Sequence, residues 1–265
     1  MSVDMQAIQL GDTTIHFAFN KGDKDLTLVF INSLGTDFRI WDAVIDGLGT
    51  EFGTLRFDKR GHGLSSLGAV EKGSISTYAT DAMGLCEALG LHKIVLVGLS
   101  IGGLISLDIY QRYSERIAGI VFMDTAPKIG TAEAWNNRIQ AISTKGMQAV
   151  ASSILTNWFS ISFQEQQPAA FALYQAMLER ADVLGYMIAC EAIRDADYTE
   201  TAQAITIPVI CMVGEEDKST PVALVQAFAQ LMNCSLISIP NSGHLPCVDS
   251  PERTTAILHD FISAL

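Results

Sequence analysis

Two hydrophobic patterns alternate along the chain. Residues 26–31, 94–97, 117–123 and 209–213 are short apolar runs with little polar alternation, several of them rich in β-branched side chains. Such runs predict strands covered on both faces, as in a parallel sheet. Thr54-Leu55-Arg56-Phe57 and Leu236-Ile237-Ser238-Ile239 read as further strands. Between the runs, apolar positions recur with a helical period: Tyr78, Ala82, Leu85 and Leu89 share one face, as do Val222, Val225, Ala229 and Met232. Strand-helix alternation of this kind predicts a doubly wound α/β fold. Residues 7–19, interrupted by Gly11-Asp12, predict an antiparallel hairpin leading into the sheet.

From about residue 132 to 204 the strand signal gives way to helical patterns, with Trp135, Ile139, Ile142, Phe171, Tyr174, Met177 and Leu178 on the apolar faces. Strand character returns at Ile205-Thr206-Ile207-Pro208. The expected organisation is therefore a core domain of residues 1–130 and 205–265, with residues 131–204 inserted as a helical cap. Placed over the carboxyl edge of the sheet, that cap would act as a lid.

Composition narrows the partners. The 265 residues, 49% hydrophobic, suffice for a large core, and a formal net charge of −12 would repel nucleic acid and anionic membranes. An anionic substrate would need a local cation. Five scattered cysteines, without C-x-x-C spacing, suggest neither a disulfide framework nor a zinc site, and fit a reducing cytoplasm. The beginning of the chain shows no basic region followed by a long apolar segment, so no secretory signal is expected. The most apolar stretch, residues 94–107, is broken by glycines and shorter than the roughly 18 residues of a membrane span, so a soluble protein is expected.

Candidate chemistry begins at Gly98-Leu99-Ser100-Ile101-Gly102, between the run 94–97 and a helix-like stretch. A serine on a tight strand-to-helix turn is exposed at the strand's carboxyl end, beside the free amide donors of the helix N-terminus. Turns of this type also bind phosphate or merely pack closely. The segment lacks the G-x-G-x-x-G of dinucleotide sites and the Lys-Ser/Thr ending of a P-loop.

A serine nucleophile needs a positioned base, usually a histidine oriented by a carboxylate. His244 follows the strand 236–239 in Asn241-Ser242-Gly243-His244, on a loop that can reach Ser100. His16, within a strand, His92, at the opposite sheet edge, and His259, on the last helix, are expected to pack or to be solvated. His62, in Asp58-Lys59-Arg60-Gly61-His62-Gly63, is better explained by a tight turn braced by Asp58 and Arg60. For the acid, Asp217 follows the strand 209–213, and Asp124, after the strand 117–123, competes with it. Capping before Pro221 would also account for Asp217, and a turn for Asp124. Glu215 and Glu216 are expected in solvent. The oxyanion donors are expected to be the amides of Leu34, in the loop Asn32-Ser33-Leu34-Gly35, and Ile101.

With these residues assembled, the sequence resembles the α/β-hydrolase superfamily over nearly its whole length. More narrowly it resembles the 3-oxoadipate enol-lactonase family, through Asn32-Ser33-Leu34-Gly35-Thr36-Asp37 with Trp41-Asp42, Arg60-Gly61-His62-Gly63, and the Ser100 turn. Thr125-Ala126-Pro127-Lys128-Ile129-Gly130-Thr131, Glu133-Ala134-Trp135, Gly185-Tyr186, Cys190 and Ile193-Arg194-Asp195-Ala196-Asp197 extend the likeness. It departs at Asp124, where an asparagine would be expected, at Lys218-Ser219, and at Pro246-Cys247. The resemblance implies a mostly parallel sheet flanked by helices with an inserted helical cap. It also implies hydrolysis of an enol-lactone to 3-oxoadipate in bacterial breakdown of aromatic acids, without metal or cofactor.

That substrate carries a carboxylate, for which Arg138 is the candidate cation. It lies three residues from Trp135 and so shares its helical face, where an apolar wall and a guanidinium could hold ring and carboxylate; a solvated surface arginine is the competing reading. A carboxylesterase or carbon-carbon bond hydrolase of the same fold is the nearest alternative, and a non-catalytic binding protein on a hydrolase scaffold a more distant one. The sequence carries no signal for oligomeric state.

Overall fold

The structure is a computed structural model that describes residues 6–265. Among these residues eight strands form one sheet: β1 (Gln6–Leu10), β2 (Thr13–Asn20), β3 (Thr27–Ile31), β4 (Gly53–Phe57), β5 (Ile94–Leu99), β6 (Ile117–Met123), β7 (Val209–Gly214) and β8 (Ser235–Ile239). The spatial order is β1-β2-β4-β3-β5-β6-β7-β8. β2 pairs antiparallel with both β1 and β4, while every pairing from β4 through β8 is parallel. The expected hairpin is present, turning at Gly11 with φ 58°. Strands β3, β4 and β5 are buried at every position, which is why β3 and β5 read as apolar runs; β4 buries Thr54 and Arg56 as well.

Helices α1 (Asp42–Leu48), α2 (Ile75–Ala88) and α3 (Ile101–Tyr113) connect the first strands of the parallel part. α2 buries Tyr78, Ala82 and Leu85, the expected face. Between β6 and β7 the chain is helical: α4 (Ala132–Trp158), α5 (Ile161–Gln166), α6 (Pro168–Glu179), α7 (Val183–Arg194) and α8 (Thr199–Gln203). α4 is kinked at Gly146, whose φ of 75° no ordinary helical residue adopts. The two ends of this insertion meet, since the Tyr198 N–H donates to the Pro127 carbonyl at 2.9 Å. The segment Ile205-Thr206-Ile207-Pro208 is not a strand, contrary to its apolar alternation. Thr206 donates its N–H to the Tyr110 hydroxyl at 3.2 Å instead of to the sheet, and Pro208 has no N–H to give. Helix α9 (Val222–Leu231) lies between β7 and β8, and α10 (Pro246–Asp249) and α11 (Pro251–Ser263) end the chain.

No helix of the described residues is long and apolar enough to cross a membrane.

Candidate active site

The nucleophile candidate is held by a strained turn. Ser100 follows β5 with φ 58° and ψ −118°, a combination unfavourable for any residue bearing a Cβ. Glycine at 102 permits it, because a Cβ there would run into the Ile31 carbonyl, so α3 passes directly against the end of β3. The Ser100 N–H donates to the Met123 carbonyl at 3.0 Å and its carbonyl accepts the Thr125 hydroxyl at 2.7 Å, pinning the turn to the end of β6.

His244 lies on the loop after β8, its N–H bonded to the Trp158 carbonyl at 2.8 Å at the end of α4. Its Nδ1 meets Asp217 Oδ2 at 2.8 Å, with both side chains buried. This contact leaves Nε2 as the nitrogen able to take a proton from a nucleophile. Asp217 is well supplied with donors: Oδ1 accepts the N–H groups of Ser219 (2.7 Å) and Thr220 (3.1 Å), and Oδ2 also accepts the Thr220 hydroxyl at 2.6 Å. Burial works to raise its pKa, but His244 and the Thr220 donors outweigh that and hold the carboxyl below its ordinary range. Asp217 does not cap α9, whose N-cap is Pro221 without a side-chain bond; it braces the loop before that helix while orienting the histidine.

Asp124, the competing acid, sits within the same cluster, one ligand atom each of Asp124, Asp217 and His244 lying within 4.8 Å of one another. Its Oδ1 accepts the Gly214 N–H at 2.9 Å, whereas its buried Oδ2 has no hydrogen-bond partner. Burial first, and the neighbouring Asp217 second, push its pKa well above the carboxylate range. The histidine contact therefore goes to Asp217.

Ser100 and His244 line one cavity of about 210 Å³ together with Leu34, Trp135 and Arg138, while Asp217 and Ile101 are not part of its wall. The amides of Leu34 and Ile101 donate to no protein acceptor among the described residues. The Trp135 indole N–H is tied to the Ile129 carbonyl at 2.7 Å, and the Arg138 guanidinium stacks over its ring at 5.2 Å from the centroid. Arg138 forms no ion pair among the described residues. A larger open depression of about 460 Å³, between Ser74 and Tyr198, contains neither the serine nor the histidine.

Several contributors were not foreseen. Tyr186 on α7 lines the cavity with a buried hydroxyl that has no hydrogen-bond partner among the described residues, and Arg138 faces it. Its signal in the sequence was no more than the Gly185-Tyr186 pair. Lys218, Ser219, Thr220, Asn157 and Trp158 complete the wall. Asp249, also unforeseen, accepts the N–H groups of Ser160 (3.0 Å) and Gly243 (2.7 Å), bridging the helical insertion to the His244 loop. Burial raises its pKa to about 6.

Some expectations need correction. Glu216 is not simply solvated, since it accepts the Ile161 N–H at 3.1 Å at the start of α5. His16 packs as expected, against the Phe38 ring, and in addition pairs with Asp58 at 2.7 Å. Asp58 does brace the 58–65 turn, accepting the Leu64 N–H at 2.9 Å, but Arg60 reaches away to form a two-pronged pair with Asp81 on α2, at 2.6 and 2.7 Å. His62 is buried within that turn and is absent from the cavity wall.

Comparison with known proteins agrees with this architecture. Residues 27–251 match the family model described as alpha/beta hydrolase fold. 3-Oxoadipate enol-lactonase 2 of Acinetobacter baylyi is 31% identical over 242 residues, 91% of this chain and 90% of that protein. The crystal structure of the enol-lactonase from Burkholderia xenovorans LB400 superposes with a TM-score of 0.91 at 28% identity, covering 97% of this chain and 100% of that one. A malate-bound thermophilic esterase from Thermogutta terrifontis gives 0.90 at 27% identity, covering 98% of each. An eight-stranded, mostly parallel sheet, the family match and these relatives together make the protein a hydrolase that belongs to the α/β-hydrolase family and groups by sequence with the 3-oxoadipate enol-lactonases.

Proposed function

We propose that the protein opens 3-oxoadipate enol-lactone to 3-oxoadipate, with Ser100 as nucleophile, His244 as base and Asp217 as the acid that orients it. The observation that carries this reading is the 2.8 Å bond from Asp217 to Nδ1 of His244, a histidine that lines one cavity with Ser100 and with Arg138, which has no ion pair among the described residues. In the first step His244 Nε2 takes the Ser100 proton as the hydroxyl oxygen attacks the lactone carbonyl. The amides of Leu34 and Ile101 receive the oxyanion, and Asp217 stabilises the imidazolium. Collapse breaks the bond to the ring oxygen, which leaves as an enolate and takes the proton from His244. The enol becomes a ketone, so the ring cannot reclose by the same route. A water deprotonated by His244 then cleaves the acyl-enzyme and frees the second carboxylate.

Arg138 suits the substrate's carboxylate, and Trp135 supplies an apolar wall for its ring. The Tyr186 hydroxyl adds a donor on the same side. Residues 131–204, which contribute Trp135, Arg138, Asn157, Trp158 and Tyr186 to the wall, act in this reading as the cap over the site. No step calls for a metal or cofactor. A small-molecule substrate in a soluble, cytoplasmic setting agrees with the charge and cysteine usage.

The likeness to the malate-bound esterase supports a second reading, a carboxylesterase for esters that bear a carboxylate. Ultraviolet loss of the enol ester, compared with hydrolysis of p-nitrophenyl esters, separates the two. Ser100→Ala is expected to lose at least about a thousandfold in kcat and all labelling by a fluorophosphonate. Lactone turnover retained by that variant would refute the assignment.

A further inference from the structure

Lys59 is the most deeply buried cation of the chain, with about 1% of its surface exposed. It lies beyond β4, in the turn before Arg60, and none of the steps above employs it. Its Nζ donates to two backbone carbonyls, those of Asn32 and Ser33, each at 2.9 Å. The Ser33 carbonyl also accepts the Thr36 hydroxyl at 2.9 Å and the Thr36 N–H at 3.4 Å.

The choice of acceptor matters. The Ser33 carbonyl and the Leu34 N–H belong to one planar peptide unit, joined by the partial double bond between them. A cation bound at the oxygen draws electron density through that unit and makes the N–H a stronger donor, an effect enlarged where water is excluded. Leu34 lines the cavity with Ser100, and its N–H has no protein acceptor among the described residues. Asn32 reinforces the same loop, its Nδ2 donating to the Thr36 carbonyl at 2.7 Å.

We propose that Lys59 is a positioning residue that fixes the Asn32-Ser33-Leu34 loop and polarises the Ser33–Leu34 peptide, strengthening the Leu34 amide as an oxyanion donor. The inference rests on the hydrolytic reading of Ser100 and on Leu34 as an oxyanion donor, and extends both behind the cavity wall. Burial lowers the Lys59 pKa to about 7, against the opposing pull of Asp58 and Asp37, and His62 is the further titratable group that feels its charge. Lys59 is therefore charged below about neutral pH and loses that charge above it.

The test uses the full-length protein with p-nitrophenyl acetate as substrate and a small alkyl trifluoromethyl ketone as a mimic of the tetrahedral intermediate. Lys59→Gln keeps a donor without charge, and Lys59→Met keeps neither. The expected order of kcat is Lys, then Gln, then Met, with Lys59→Met down about tenfold or more while KM stays within about twofold. Affinity for the ketone should fall in parallel with kcat. The wild-type to Lys59→Gln ratio of kcat should be larger at about pH 6 than at about pH 8, because the wild type loses its extra charge across that interval. The ratio cancels any pH dependence that the two proteins have in common. Unchanged ketone affinity in Lys59→Met would overturn the proposal, as would losses in KM equal to those in kcat. If Lys59→Met does not fold, Lys59→Gln and the pH dependence of its ratio decide the matter. Ser100→Ala run alongside keeps the failures apart: activity surviving in Ser100→Ala sinks the catalytic reading itself, whereas its loss with Lys59 variants intact sinks the role of Lys59 alone.

Discussion

Asp124 and Asp217 are carboxyls buried side by side, and their surroundings decide which one keeps a proton. Asp217 faces His244 and the donors of Ser219 and Thr220, so its charge is compensated. Asp124 receives a single backbone N–H, and its other oxygen lies against Asp217 with no donor to satisfy it. A proton on Asp124 resolves the conflict, so its folded pKa stands above the unfolded value. Above about pH 4 the unfolded chain releases that proton while the folded protein retains it, and stability falls as pH rises through this window. Asp124→Asn removes the dependence. Thermal melts should show it more stable than the wild type near neutral pH, with an advantage that shrinks toward about pH 4. At Tyr186 the buried hydroxyl without a partner costs stability unless a ligand uses it. Tyr186→Phe should melt no lower than the wild type, yet raise KM about three- to tenfold for a carboxylate-bearing ester, with p-nitrophenyl acetate unaffected. Equal KM changes for both esters would remove Tyr186 from carboxylate binding.

At the scale of elements, the end of β5, the start of α3 and the end of β3 meet with no room between them. A methyl group at residue 102 would strike the Ile31 carbonyl, which is backbone and cannot rotate away. Gly102→Ala should lower stability by about 1–3 kcal/mol in urea unfolding, and lower kcat as well, since the Ile101 amide and Ser100 move with the turn. Much at this scale was legible in the sequence. Strands buried on both faces announce themselves by composition, and G-x-S-x-G marks its own turn because only small residues fit there. The linker at 205–208 was misread because its apolar alternation imitates a strand, while the partner that captures Thr206, the Tyr110 hydroxyl, lies 96 positions away in sequence. Lys59 and Asp249 escaped notice for the same reason: nothing near them in the chain shows that each binds backbone groups of a distant loop. Tyr186 shows the limit from another side, since an unmet hydrogen bond has no sequence pattern at all.

Over the whole molecule, the net charge of −12 opposes an anionic substrate, and the cavity answers with Arg138, which has no acidic partner among the described residues. Once Arg138 is replaced by alanine, Lys218 is the cation left in the cavity wall and the repulsive field of the surface weighs more heavily, and salt screens that field over about 8–10 Å at ordinary ionic strength. The kcat/KM of Arg138→Ala for a carboxylate-bearing ester should therefore rise with added sodium chloride, while that for a neutral ester stays flat. A flat response for both would place the carboxylate, and its repulsion, outside the cavity.

The bond from the Tyr198 N–H to the Pro127 carbonyl has a further consequence. It brings the chain back almost to its point of departure, so β6 and β7 pair as neighbours whatever the length or sequence of the stretch that leaves between them. Binding preference can thus be rewritten in that stretch, through insertion, deletion or recombination, while β6 and β7 stay paired, provided the Trp158 carbonyl and the Ser160 N–H that hold the His244 loop are kept.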